Sequence, residues 1–203
     1  MSASERTGAE RLAREACAAG EIRRATTILL TAYGSEVLGF LRWLLRDDVR
    51  GDDAFADFSL DVWRGLPSFD WRCSARTWLY VVARRAGARV ARSQRQQAFV
   101  PLSASAPISQ IVERLRSETA PHLRTDMKSE IRRLWERLDQ ADQELLVLRI
   151  DRRLVWREIS LVLAEEGIDE RERTSLEALL RKRYQVVKER LRSMAKESGL
   201  LPR

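Results

Sequence analysis

The chain has few of the residues that metal sites, disulfide frameworks and most enzymes need. Its only thiols are Cys17 and Cys73, and its only histidine is His122. So few thiols and imidazoles support neither a disulfide framework nor a His/Cys metal cluster. No nucleophile is paired with a base, and no glycine-rich loop has phosphate-binding spacing. We therefore expect a protein that is not an enzyme and needs neither a metal nor a cofactor.

Residues that interrupt helices are also scarce, since 203 residues include 9 glycines and 5 prolines. Apolar residues recur at helical spacing over most of the chain, which predicts an all-α fold. The start of the sequence lacks the apolar run of a signal peptide, and no later stretch offers the roughly 20 apolar residues of a membrane span. We expect no membrane span and a cytoplasmic location.

Acidic residues are in the minority, because 37 Lys and Arg residues face 30 Asp and Glu residues, for a net charge of +7. A basic chain favours a polyanionic partner, with nucleic acid ahead of an anionic membrane. Residues 71–112 contain no acid at all but include seven arginines. Aromatic residues are interleaved with them: Phe69, Trp71, Trp78 and Tyr80.

This mixture suits single-stranded nucleic acid, since arginines bind phosphates and aromatic faces stack on unpaired bases. The alternative is that Phe69 and Trp78 are core residues at helical spacing. Trp71 lies between Asp70 and Arg72 and is expected to be exposed.

One segment, GDDAFADFSLDVWRGL, carries the opposite charge. Asp53, Asp57 and Asp61 lie four residues apart and share one face of an amphipathic helix. Like charges one turn apart repel each other. Either this face is solvated and Arg64 reduces the repulsion between its charges, or the face docks on a basic protein surface. The residues alone leave both interpretations open.

The composition predicts two small helical domains joined by a flexible linker. The expected divisions are an N-terminal extension over residues 1–21, a helical domain over 22–96, a Pro/Ser-rich linker over 97–125 and a second domain over 126–203. In the first domain we expect two helices meeting near Gly34, the acidic helix ending around Gly65 and Pro67, and a helix over residues 74–95. Further short helices are expected over 108–117 and 129–138.

The second domain carries the pattern of a helix-turn-helix. Trp156, Ile159 and Leu163 form an apolar stripe, and Gly167 occupies the place of the turn. A longer helix follows, with an apolar stripe and a basic side that suits the major groove. The stripe consists of Leu176, Leu180, Tyr184, Val187 and Leu191. Residues 169–174 are interpreted as a polar insertion that lengthens the turn.

Taken in order, these motifs resemble the small two-domain sigma factors of bacterial RNA polymerase, the extracytoplasmic-function group. YGSEVLGFLRWLLRD is similar to the first conserved helix of that family, DDAFADFSLDVWRGL to its acidic polymerase-binding helix, and SARTWLYVVARRAGARVAR to its promoter-melting helix. LDQADQELLVLRIDRRLVWREISLVLAEEG is similar to the start of its helix-turn-helix domain. The resemblance covers most of residues 22–192, and RTWL and VWRGL are its most specific parts.

The resemblance implies a protein that directs core RNA polymerase to specific promoters and assists strand opening. It assigns polymerase binding to Asp52, Asp53, Asp57, Asp61 and Trp63. It assigns promoter melting and single-strand binding to Trp71, Arg72, Arg76, Trp78, Tyr80, Arg84, Arg85 and Arg89. It places upstream duplex contacts on Arg181, Lys182, Arg183, Gln185, Lys188 and Arg192. The implied partners are core RNA polymerase and promoter DNA; the family also allows an anti-sigma factor, which the sequence does not identify.

Two other classes of protein remain open. A stand-alone helix-turn-helix regulator would explain the basic final helix but not the acidic face. A helical scaffold would explain the amphipathic helices but not the acid-free tract. The three differ in their partners, because a scaffold ignores DNA, a regulator binds duplex alone, and a sigma factor needs core polymerase for specific promoter binding.

Overall fold

The computed structural model describes residues 3–93, 129–165 and 167–200 of the protein. These residues form eight α-helices and no strand, which confirms the predicted all-α class. The chain divides into two compact units, Met1–Leu123 and Arg124–Arg203. The predicted linker over residues 97–125 and the predicted helix over 108–117 lie outside the described residues.

The first unit contains four helices: α1 (Ala3–Ala18), α2 (Ile22–Leu45), α3 (Asp48–Gly65) and α4 (Ala75–Ser93). Helix α2 packs against the other three. A short 3-10 turn, Leu66–Ser68, follows α3 near the predicted end of the acidic helix. The largest fully buried side chains of this unit include Tyr33, Phe40, Phe55, Phe58, Leu79 and Tyr80. Ala13 and Ala16 of α1 are buried as well, so most of the N-terminal extension is part of this unit.

Helix α2 is continuous, so the expectation of two helices meeting near Gly34 is wrong. Gly34 is buried in the middle of the helix. A glycine in a helix interior costs about 1 kcal/mol relative to alanine, and burial of apolar side chains on both sides of it outweighs that cost. By length and composition alone, α2 is the one described helix that could cross a membrane, but half of its most apolar stretch is buried inside this unit.

Helices α2 and α3 approach closely at Gly51. A Cβ atom there would lie 2.5 Å from Cγ and 2.6 Å from Cα of Arg42, so only glycine fits. Helix α3 begins at an N-cap, Asp47, whose side chain accepts a hydrogen bond of 3.0 Å from the Arg50 backbone N–H. This start, with Phe55, Phe58 and Val62 buried, turns the aspartates of α3 away from the core.

The second unit contains α5 (Ser129–Glu136), α6 (Gln140–Leu146), α7 (Trp156–Leu163) and α8 (Glu170–Glu197). A single π-helical turn, Val147–Asp151, extends α6. Helix α5 confirms the helix expected over residues 129–138. The hydrophobic core of the second unit joins α5 and α6 to the apolar side of α8. It consists of Leu134, Leu138, Leu146, Val187 and Met194. Tyr184 and Leu191 pack against this cluster, so the predicted stripe of α8 does face the core.

The turn between α7 and α8 is shorter than the sequence suggested. Gly167 has φ +87°, a conformation that favours glycine. Asp169 then caps α8: its side chain accepts a 2.8 Å hydrogen bond from the Glu172 N–H, and Glu172 Oε2 accepts a 2.9 Å bond from the Asp169 N–H. This capping box makes residues 170–174 the start of the helix. The interpretation of residues 169–174 as an insertion in the turn is therefore wrong.

Candidate functional site

The acidic face of α3, formed by Asp53, Asp57 and Asp61, is only partly neutralised. Arg89 of α4 forms an ion pair with Asp61. The neighbouring Asp52 accepts a 2.8 Å hydrogen bond from Arg42 Nε. Within residues 3–93, the side-chain carboxylates of Asp53 and Asp57 form neither a hydrogen bond nor an ion pair. Two of the four predicted polymerase-binding aspartates are thus occupied internally and two are available.

The surroundings of Asp57 disfavour the ionised form of its carboxyl relative to the same group in water. Partial burial raises the pKa of this carboxyl, and the charges of Asp61 and Asp53 raise it further; the charge of Arg89 lowers it, but not enough to cancel these effects. The ionised form therefore costs free energy in the isolated protein. A cationic group placed against this face would remove that cost.

Trp63 supplies an apolar side chain at the end of α3. It is 42% exposed, although it follows the fully buried Val62. Large aromatic residues at the surface are typical anchors of protein interfaces. Trp63 is therefore an exposed apolar side chain on the same helix as the carboxylates.

Three rings after α3 form an aromatic cluster, which consists of Phe69, Trp71 and Trp78. The Phe69 ring lies 4.7 Å from the Trp71 ring and 4.7 Å from the Trp78 ring, with the latter pair stacked. Trp71 has φ +59°, and its neighbours are tied together because Asp70 Oδ1 accepts a 3.2 Å bond from the Arg72 N–H. Trp71 is half-buried, so the expectation of an exposed ring is corrected: the Arg14 guanidinium lies 5.9 Å above its centre.

Tyr80 belongs to the core and not to a surface. Its ring is fully buried edge-on to Phe40, with 5.1 Å between the ring centres. Its hydroxyl donates a 2.8 Å hydrogen bond to Glu36 Oε1. A base therefore finds no open face of the Tyr80 ring, and a direct contact between Tyr80 and bases stays a prediction without support from its burial.

Arg76 belongs to the same buried polar network. Its Nε donates a 3.1 Å bond to Glu36 Oε1, and its backbone N–H donates a 3.3 Å bond to Glu10 Oε1. The Tyr33 hydroxyl also donates to Glu10, at 2.9 Å, so the network joins α1, α2 and α4. Because the Arg76 side chain is only 16% exposed and faces Glu36, a direct phosphate contact by Arg76 is not supported by this structure.

Glu36 is charged at the centre of this network, which we call the Glu36 network: Glu10, Tyr33, Glu36, Arg76 and Tyr80. Burial alone would raise the pKa of Glu36, but the hydrogen bond and charge of Arg76, the Tyr80 hydroxyl and the charge of Arg6 outweigh it and hold the pKa below its usual value. Burial and the bond to Glu10 raise the pKa of Tyr33 well above its usual range. The network therefore stabilises an ionised carboxylate between α1, α2 and α4.

The remaining arginines of the melting segment differ in their exposure. Arg72 is 87% exposed and pairs with Asp70 at 2.9 Å. Arg85 and Arg89 are exposed, and Arg84 is half-buried. Arg89 is the residue that holds Asp61. Arg72 and Arg85 are thus exposed members of the predicted phosphate contacts, and Arg72 directly follows Trp71 in the chain.

On α8 the six predicted duplex contacts are all exposed, but they differ in their partners. Arg183 donates to Asp142 at 2.5 Å and to Asp139 at 3.1 Å, and the bond to Asp142 raises the pKa of Arg183. It ties α8 to the start of α6, so a groove contact by Arg183 is not supported. Arg181 pairs with Glu177 and Arg192 with Glu189. Lys182, Gln185 and Lys188 have no side-chain partner in the described part of the chain.

Sequence reasoning missed two accessible arginines. Arg171 is exposed in the first turn of α8 and has no side-chain partner among residues 129–165 and 167–200. The Asp169 and Glu172 spacing of a capping box was the signal that would have placed it on a helix. Arg14 lies over Trp71 from a helix 57 residues away in sequence, and no local pattern indicates this contact.

Among the described residues, no group of three His, Cys, Asp or Glu side chains is placed to bind a metal ion. Cys17 and Cys73 are half-buried and are not joined in a disulfide, and burial raises the pKa of Cys17. The one histidine of the sequence, His122, lies outside the described residues.

Comparison with known proteins gives one family. Residues 29–97 match the family model of sigma-70 region 2. No curated protein and no solved structure matches the chain significantly. The matched segment contains most of α2, all of α3 and α4, the acidic face and the aromatic cluster. The match covers 69 of the 203 residues, and α1 and the second unit lie outside it.

Proposed function

We propose that this protein, whose residues 29–97 match sigma-70 region 2, is a sigma factor of the small two-domain, extracytoplasmic-function group. It directs core RNA polymerase to specific promoters and assists strand opening in the cytoplasm, and the polymerase supplies the catalysis. The observation that carries the proposal is the acidic face of α3 in an otherwise basic chain, with Asp57 charged at a cost that a basic partner relieves.

The polymerase-binding surface consists of Asp53, Asp57 and Trp63, with Asp52 and Asp61 at its sides. A basic patch of core polymerase satisfies the two unpaired carboxylates, and an apolar contact covers the exposed indole. Asp52 and Asp61 already have arginine partners, so they shape the surface more than they bind. The charge complementarity also speeds the encounter, because opposite potentials steer association.

The single-strand surface is built on the aromatic cluster. Trp71 and Trp78 present rings for unpaired bases, and Arg72 and Arg85 reach the phosphates around them. Arg76 and Tyr80 act indirectly, since the Glu36 network holds the start of α4 against α1 and α2. Removing a base from the duplex stack costs a few kcal/mol, which stacking on tryptophan and phosphate contacts offset.

The second unit reads the upstream element as duplex through α7 and α8. In a helix-turn-helix, the N-terminal residues of the second helix contact base edges. Because Asp169 caps α8, that position belongs to Arg171, whereas Arg181 lies ten residues further on, about 15 Å along the axis. Lys182 and Lys188 lie along the exposed side of α8 and suit the flanking phosphates.

Reconstituted transcription tests the proposal. The full chain is added to active core polymerase with genomic fragments as templates, and promoter-specific transcripts are expected. The matched control is the variant with Asp53→Lys and Asp57→Lys, which should support little transcription at the same concentration because it repels the basic partner. Absence of a specific transcript from every fragment contradicts the proposal, and specific duplex binding without polymerase identifies a stand-alone helix-turn-helix regulator instead.

A further inference from the structure

Helix α1 brings a cation to the aromatic cluster. Arg14 is exposed, and its guanidinium lies over the Trp71 ring, 5.9 Å from the ring centre. Phe69 lies 4.7 Å from the same ring. Trp71 is thus in contact with an aromatic ring and with a cation from α1, which lies outside the matched segment of residues 29–97.

The position of Arg14 follows from how α1 is anchored. Glu10, one helical turn earlier, accepts hydrogen bonds from the Tyr33 hydroxyl and the Arg76 backbone N–H, at 2.9 and 3.3 Å. Ala13 and Ala16 are buried against the unit. Side chains at i and i+4 share a helix face, so a docked Glu10 directs Arg14 towards the same surface.

Arg14 and an unpaired base compete for the same face of the Trp71 ring, and the stronger of the two contacts prevails. A cation over a partly exposed aromatic ring is on average a weaker partner than a stacked nucleobase. A guanidinium remains charged throughout the physiological range and binds phosphate with good geometry. When a base stacks on Trp71, Arg14 therefore loses its ring and gains a phosphate within reach of the same base.

We propose that Arg14 of α1 belongs to the single-strand DNA surface: it covers Trp71 in the free protein and moves to a phosphate when an unpaired base takes its place. The inference rests on the proposed function, and it gives the N-terminal extension a part in strand binding. The ligand is the single strand of an opened promoter, and Arg72, exposed beside Trp71, contacts the adjacent backbone.

The test compares Arg14→Ala with Arg11→Ala, a matched control on the same helix. Arg11 is also exposed, but it pairs with Glu15 at 2.9 Å, and no contact with Trp71 is found for it among the described residues. Each full-length variant is assembled with core polymerase, and its affinity for a promoter already opened by mismatches is measured over a range of salt concentrations. Thermal unfolding should be the same for both variants, since both side chains are at the surface.

We expect Arg14→Ala to weaken binding and to flatten the slope of log affinity against log salt by about 0.7, the share of one single-strand phosphate contact. Arg11→Ala should leave affinity and slope at the parental values. Equal behaviour of the two variants overturns the inference while the proposed function stands, and tighter binding by Arg14→Ala also overturns it, because Arg14 then only obstructs Trp71. If the parental chain with core polymerase fails to bind the opened promoter, the proposed function itself is wrong.

Discussion

Arg89 on α4 holds Asp61 on α3 in an ion pair, so the basic helix of the first unit neutralises one end of the acidic face. Asp57, one turn before Asp61, has no such partner within residues 3–93, and its pKa is raised by burial and by both neighbouring acids. The carboxylates of the acidic face therefore differ. The charge of Asp61 is paired within the fold, whereas the charge of Asp57 stays unfavourable until a cationic partner binds.

Asp57→Asn should separate stability from binding. Because the pKa of Asp57 is raised, the folded state disfavours its charge above that pKa, and a neutral amide removes the repulsion. We expect thermal stability to stay the same or to rise by less than about 1 kcal/mol, since each like-charge pair costs about 0.2–0.5 kcal/mol. Binding to core polymerase should weaken, as measured by titration with labelled protein.

The control for Asp57→Asn is Glu15→Gln, which makes the same change of charge on α1. Glu15 lies on an exposed face and pairs only with Arg11 among the described residues. It should leave polymerase binding at the parental value. Undiminished binding by Asp57→Asn would mean that Asp57 is not part of the polymerase surface.

The Glu36 network should make stability depend on pH. The pKa of Glu36 is lowered in the fold, so its contribution is present above the ordinary glutamate pKa of about 4.3 and is lost as the pH falls through the lower folded value. Glu36→Gln should therefore be less stable than the parent at neutral pH, with the difference shrinking as acid is added. Denaturant unfolding of both proteins at a series of pH values measures this, and a difference that does not change with pH contradicts it.

We expect Trp71→Ala to impair strand opening and Arg76→Ala to impair the stability of the fold. Trp71→Ala removes a ring for stacking, so it should reduce open-complex formation on duplex promoters far more than on a template already opened by mismatches. Arg76→Ala breaks a largely buried ion pair with Glu36 and should cost about 3 kcal/mol in stability. Its activity should fall equally on both templates. If instead Arg76→Ala is stable and defective only on duplex, Arg76 contacts DNA directly.

Variants of α8 should reveal which residues read bases. Arg171→Ala should alter the upstream sequences selected from a randomised library, because losing a bidentate base contact costs about 1–3 kcal/mol at one position. Lys188→Ala should lower activity evenly across sequences and flatten the salt dependence, as expected for a phosphate contact. Arg181→Ala should not change the selected sequence. If Arg181→Ala rather than Arg171→Ala alters the selection, the middle of α8 and not its first turn lies in the groove.

Much of the helical layout could be predicted from spacing along the chain. The burial of Phe55, Phe58 and Val62 on α3 follows from a period of 3.6 residues, which is a local property. The apolar side of α8 follows for the same reason. The errors at Gly34 and at residues 169–174 arose where packing or a capping box overrode the ordinary meaning of glycine and of a polar run.

The sequence by itself determined the all-α class, the acidic face, the acid-free tract and the apolar stripes, because each depends on residues a few positions apart. Only the tertiary structure decided which charged side chains are paired within the fold and which are available to a partner. Arg76 meets Glu36 across 40 residues, Arg89 meets Asp61 across 28, and Arg183 meets Asp142 across 41. The strength of an ionic contact depends on distance and solvent exposure, and for residues this far apart both are set by helix packing and not by spacing in the chain.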